Sequence, residues 1–96
     1  MAHVSIVRIA NSTHRKTLGA IFGKPTPGAL EWSHIEALMV AVGCVVIEGR
    51  GSRVRLAYGS HVATFHRPHP AKEAKPYQVE DAGAFLTLIG MKPCAA

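Results

Sequence analysis

Cysteines, acidic residues and long apolar runs are all scarce in this chain. Only two cysteines occur, Cys44 and Cys94, and neither sits in a CxxC or a Cys/His ligand spacing. A disulfide framework and a metal site are therefore not expected. Cys44 lies in an apolar run and reads as a small core residue. Cys94 reads as an exposed thiol in the tail. No stretch approaches the ~20 apolar residues that cross a bilayer, so no membrane partner is expected. The start, Met1-Ala2-His3-Val4-Ser5-Ile6-Val7-Arg8, lacks the basic opening, long apolar middle and cleavage site of a signal peptide. That pattern points to the cytoplasm.

Acids are few: six, against 11 Lys and Arg, for a net charge of +5. Six of those 11 cations fall between positions 50 and 75: Arg50, Arg53, Arg55, Arg67, Lys72 and Lys75. Glu73 is the one acid in that window, and His61, His66 and His69 share it. Clustered cations of this kind attract phosphate backbones. The bland alternative, a solubilising surface, carries equal weight on composition alone. The chain has 96 residues, 48% of them hydrophobic, which suits one packed domain with a modest core.

Along the chain, residues 1–10 read as an edge strand or a disordered arm. Residues 11–22 read as a short helix capped by Asn11 or Ser12, and Gly23 to Gly28 as a Pro/Gly linker. Residues 1–28 thus form an N-terminal extension to a domain over 29–92, with a tail at 93–96. The domain opens with Ser33-His34-Ile35-Glu36, the S-x-x-E form of a capping box. Ile35, Leu38, Met39 and Val42 follow as one apolar helical stripe. Gly43 stands at the helix C-terminus, and Trp32 precedes the cap. Cys44 to Glu48 reads as a strand, Gly49-Arg50-Gly51 as a turn, and Ser52 to Tyr58 as an alternating strand. Gly59-Ser60 is a two-residue hairpin signal of the type II′ kind. His61 to His66 forms the return strand, ended by Pro68 and Pro70. Residues 71–76 read as a charged loop, and a last helix runs from about Gln78 to Ile89, stopped by Gly90. The order helix, three strands, helix implies an α+β fold: a three-stranded antiparallel sheet with its helices on one face.

The hairpin then fixes which side chains meet. With Gly59 and Ser60 as the turn, Tyr58 faces His61, Leu56 faces Ala63 and Val54 faces Phe65 on the core side. On the open side Ala57 faces Val62, Arg55 faces Thr64 and Arg53 faces His66. Directly paired Cβ atoms lie about 4.5–5.5 Å apart, so Arg53, Arg55 and His66 share one surface. A one-residue slip would bury the arginines. Metal-free RNA cleavage needs a base for the 2′-OH proton, an acid for the leaving 5′-oxygen and cations for the charge on phosphorus. Histidine suits the proton transfers, and arginine offers a planar fork to phosphate oxygens. The 2′-OH makes RNA the natural substrate. Against this, His66 reads as well as a solvated strand-end residue, and His69 as a turn-former between prolines. His61 reads as structural, His34 as merely exposed, and Tyr58 and Phe65 as core. His66-x-x-His69 lacks further ligands for a metal.

The helix Ile35-Glu36-Ala37-Leu38, then Gly43, Gly51-Ser52 after the first strand, Pro68-His69-Pro70-x-Lys72 after the third, and a final helix ending at Gly90 resemble the HicA toxins. The resemblance covers about residues 31–91. It implies a double-stranded-RNA-binding-domain-like (dsRBD-like) α-β-β-β-α fold, an mRNA interferase activity without cofactor, and neutralisation by a HicB-type antitoxin. It also implies Gly-Ser-His as the motif after the first strand, with that histidine catalytic. This chain has Gly51-Ser52-Arg53 instead. Three readings stay open: His66 acts in its place, His69 contributes, or cleavage is lost and only RNA or antitoxin binding remains. The register count favours His66, with His69 as its helper and Arg50, Ser52, Arg53, Arg55, Arg67 and Lys72 as the substrate-binding set. Three functions follow for testing. They are a metal-independent endoribonuclease toxin, a non-catalytic dsRBD-like RNA-binding module, and a pure interaction protein whose basic face docks an acidic partner.

Overall fold

A computed structural model describes residues 12–91. The readings for residues 1–10, the Asn11 cap and Cys94 lie outside the described residues. The elements are α1 (Ser12–Ile21), α2 (Trp32–Ala41), β1 (Val45–Glu48), β2 (Arg53–Tyr58), β3 (His61–His66) and α3 (Pro76–Leu88). The strands form one antiparallel sheet in the order β1-β2-β3. The fold is therefore the expected α+β, dsRBD-like α-β-β-β-α arrangement, preceded by α1.

The core forms between the sheet and the helices. Val54, Leu56 and Phe65 project from one sheet face. They meet Ile35, Leu38 and Met39 of α2 and Val79, Ala82, Phe85 and Leu86 of α3, all buried. These residues recur at two-residue spacing in the strands and at three or four in the helices, the periods that place side chains on one face. α1 joins the same core through Leu18 and Ile21, with Thr17 buried beside them. Its approach to α3 is close: a Cβ on Gly83 would stand 3.3 Å from Ile21 Cγ2.

α2 begins two residues earlier than the S-x-x-E pattern suggested. Its N-cap is Glu31, with no side-chain cap bond, so Ser33 lies inside the first turn and Trp32 is its first residue. Glu36 does not cap the helix. Its Oε1 accepts instead from Trp32 Nε1 at 2.8 Å. Stronger donors outcompete the backbone for that carboxylate. Trp32 packs its ring on Phe65, centroids 5.1 Å apart.

At the other end of α2, the Gly43 N–H donates to Val40 C=O and the Cys44 N–H to Met39 C=O. That pair of bonds is a Schellman motif, which requires a left-handed residue. Gly43 supplies it with φ +112°. Cys44 is consumed by this cap, so β1 starts one residue later than read. α3 also starts earlier than read, with Pro76 at its first position and Lys75 as N-cap. Gln78 completes that cap: its Oε1 accepts from the Lys75 N–H at 3.0 Å. α3 ends at Gly90 in the same pattern as α2. No helix among the described residues is long and apolar enough to cross a membrane.

Candidate functional site

The β2–β3 register is the one counted from the turn: Arg53↔His66, Val54↔Phe65, Arg55↔Thr64, Leu56↔Ala63, Ala57↔Val62 and Tyr58↔His61. Gly59 turns the chain with φ +61°, a conformation costly for any residue with a Cβ. Arg53, Arg55, Thr64 and His66 are exposed on the face away from the helices. His61, expected opposite Tyr58 as a structural or strand-end residue, opens β3 in that pairing. It is exposed while its partner Tyr58 is half-buried, because the row beside the turn is only partly covered.

The Arg53–His66 pair is of the close type. The Arg67 N–H donates to Ser52 C=O at 2.8 Å, so Ser52 and Arg67 are a hydrogen-bonded pair. By alternation, Arg53 and His66 are a non-hydrogen-bonded one, with Cα atoms about 4.5 Å apart. The backbone of His66 is anchored as well. Buried Gln78 donates from Nε2 to the His66 C=O at 2.6 Å, so α3 fixes the strand end that carries the imidazole. Among the described residues, no side-chain hydrogen bond or ion pair occupies Arg50, Arg53, Arg55 or Lys72.

Arg67, expected among the substrate-binding cations, forms ion pairs with Glu36 and Glu48. It lies on the helix side of the sheet, where Nε and Nη2 reach Glu36 at 3.0 and 2.9 Å. Nη1 and Nη2 reach Glu48 at 2.7 and 3.0 Å. The guanidinium is thus held by two carboxylates and is not a free cation. Glu48 first, then Glu36, push its already high pKa further up, so it stays charged at all working pH values. The hydrogen bond from Arg67 holds the Glu36 carboxyl below its usual range against a smaller opposing effect of burial. Glu48, fully exposed, is lowered by the same partner. Burial pushes the Cys44 thiol up, in keeping with a core residue.

The remaining candidates spread around this brace. His69 shares an open groove with Gly51, Ser52, Arg67 and Pro68. Lys72 lines a second groove with Trp32, Ser33, Arg67 and Pro70. The structure therefore brings Arg53, Arg55 and His66 together on one face, and His69 together with Gly51-Ser52. Lys72 lies apart, its C=O tied to the Trp32 N–H at 2.9 Å. Arg50 sits exposed in the β1–β2 turn, where its C=O accepts from the Arg53 N–H at 3.0 Å.

Sequence reasoning missed Glu36, Glu48 and Gln78. Glu36 and Arg67 are 31 residues apart, and no local pattern connects them. Gln78 carried a readable signal, since it stands three residues after the cap of a helix whose first residue is proline. Among the described residues no group of three His, Cys, Asp or Glu is placed to hold a metal ion.

No curated protein and no solved structure matches the chain. A family model does match, over residues 32–87, which takes in α2, the whole sheet and nearly all of α3. The match spans more than half of the sequence, and its family is described as HicA toxin of bacterial toxin-antitoxin. The chain belongs to this family and is the toxin of a toxin–antitoxin system.

Proposed function

We propose that this toxin is an endoribonuclease that binds mRNA on the open face of its sheet, cleaves it without a metal, and is neutralised in the cytoplasm by a HicB-type antitoxin. The observation that carries the reading is the Arg53↔His66 pair, exposed, next to Arg55 and, among the described residues, without competing acids in the strands of that face. In the proposed reaction an RNA 2′-OH attacks the adjacent phosphorus and the bond to the 5′-oxygen breaks. The products are a 2′,3′-cyclic phosphate and a 5′-hydroxyl. His66 takes the 2′-OH proton. His69, in the groove beside Gly51 and Ser52, donates one to the leaving oxygen. Arg53 and Arg55 stabilise the charge building on the phosphoryl oxygens, while Arg50, Ser52 and Lys72 hold flanking phosphates. The brace of Arg67, Glu36 and Glu48 supports this surface from behind.

A second reading has its own observation: Arg53 stands where the family resemblance places a histidine. On that reading the face binds RNA and leaves it intact. The deciding experiment incubates purified toxin with a single-stranded RNA in EDTA and analyses the ends. New 2′,3′-cyclic phosphate ends support the enzyme. Salt-sensitive binding with intact RNA supports the binding module. Antitoxin binding with no RNA affinity at low salt leaves only an interaction protein.

A further inference from the structure

The open sheet face is not uniform. At one end lie Arg53 and His66, then Arg55 and Thr64. At the other end the pairings Val45↔Ala57 and Ala57↔Val62 set three aliphatic residues in a row across all three strands. Ile47, paired with Arg55, joins the two ends. Val45 is 61% exposed, Val62 54% and Ile47 42%. Branched aliphatic side chains this open, in one contiguous patch, are the mark of a protein interface. They suit RNA poorly, because bases stack on aromatic rings or guanidinium planes and hydrogen-bond along their edges. The aliphatic row offers none of these.

We propose that the antitoxin partner of this toxin anchors on the row Val45, Ala57 and Val62 with aliphatic side chains of its own, and lays carboxylates over Arg53 and Arg55. Charge complementarity selects that occupant. Among the described residues the only acid in the strands, Glu48, is turned to the helix side and paired with Arg67. The face is therefore cationic at its far end, and a complementary partner carries acids there. A second copy of this chain would bring a net charge of +5 and its own arginines instead. Seated this way, the partner covers the surface assigned above to RNA. That last consequence rests on the proposed function; the aliphatic anchor does not.

The test measures, by calorimetry, the affinity of full-length toxin for the antitoxin encoded beside it. Four toxins are compared: wild type, Val45→Gln/Val62→Gln, Arg53→Gln/Arg55→Gln, and a Leu88→Gln control on α3. The first double variant is expected to lose about 20-fold or more in antitoxin affinity, from two aliphatic anchors replaced by polar side chains. Its binding to a single-stranded RNA probe stays at the wild-type level. Leu88→Gln changes neither. Val45→Thr/Val62→Thr keeps the strand-favouring branch, and a loss of about 5-fold there decides the matter if the glutamine variant misfolds. Wild-type antitoxin affinity in these folded variants overturns the proposal. So does a loss carried by Leu88→Gln, or the absence of any binder among the products of the flanking reading frames. If Arg53→Gln/Arg55→Gln leaves RNA binding intact, the RNA reading fails while the docking surface stands.

Discussion

Arg67 shows how one side chain can change role once its neighbours are known. In sequence it is one more cation beside a histidine. In the fold it is the tie between α2, β1 and the end of β3. Its two acids are not equal. Glu36 is partly buried and also accepts from Trp32, whereas Glu48 is exposed. Glu36→Ala is therefore expected to lower unfolding stability by about 1–2 kcal/mol, since it leaves a half-buried guanidinium short of two charge-assisted bonds. Glu48→Ala costs clearly less. Urea denaturation of the two variants checks the ranking. The pH dependence has a definite sign. The folded Glu36 carboxyl titrates below its usual 4.5, chiefly through Arg67. Its contribution is full above that value and is lost as pH falls through the lower folded pKa. Between about pH 5 and pH 3 the wild type should thus lose stability more steeply than Glu36→Gln.

Among the elements, the hairpin was the most legible. Gly59-Ser60 between alternating strands allowed one register, and the pairing of Arg53 with His66 followed from it. Gly59→Val should cost about 1–2 kcal/mol through its positive φ alone, since among the described residues nothing stands within 4 Å of an added Cβ. A thermal melt with an unchanged pattern of amide shifts in β2 and β3 would confirm that origin. Helix starts were less legible. The S-x-x-E pattern at Ser33 pointed to a cap that the fold does not use, because Trp32 and Arg67 claim Glu36 first. Gln78 was passed over although Pro76 marks the helix start. The Arg67 brace was invisible, since its partners come from elements that only tertiary packing unites. The docking of α1 was equally hidden. Residues 11–22 read only as a short helix of an N-terminal extension, and nothing local named Gly83 as its seat. Gly83→Leu should dislodge α1, exposing Thr17, Leu18 and Ile21 to faster amide exchange while β2 and β3 keep their protection.

At the scale of the molecule, the charge count overstated the free cations and the fold corrected it. Arg67 is neutralised behind the sheet, while Arg53 and Arg55 remain open in front. RNA binding should then weaken steeply with salt, as counterions are released from each phosphate contacted. Arg53→Gln/Arg55→Gln should flatten the logarithmic slope by roughly two units. An Arg67→Gln variant should leave that slope nearly unchanged, because its guanidinium already belongs to Glu36 and Glu48. The central claim is that the imidazole opposite Arg53 takes part in chemistry on RNA. Its most direct test is the single-turnover cleavage rate of purified wild-type toxin and of His66→Ala on one RNA in EDTA. A fall of about 100-fold or more with His66→Ala, at unchanged fold and RNA affinity, is the predicted result. A variant that cuts as fast as the wild type would contradict the account.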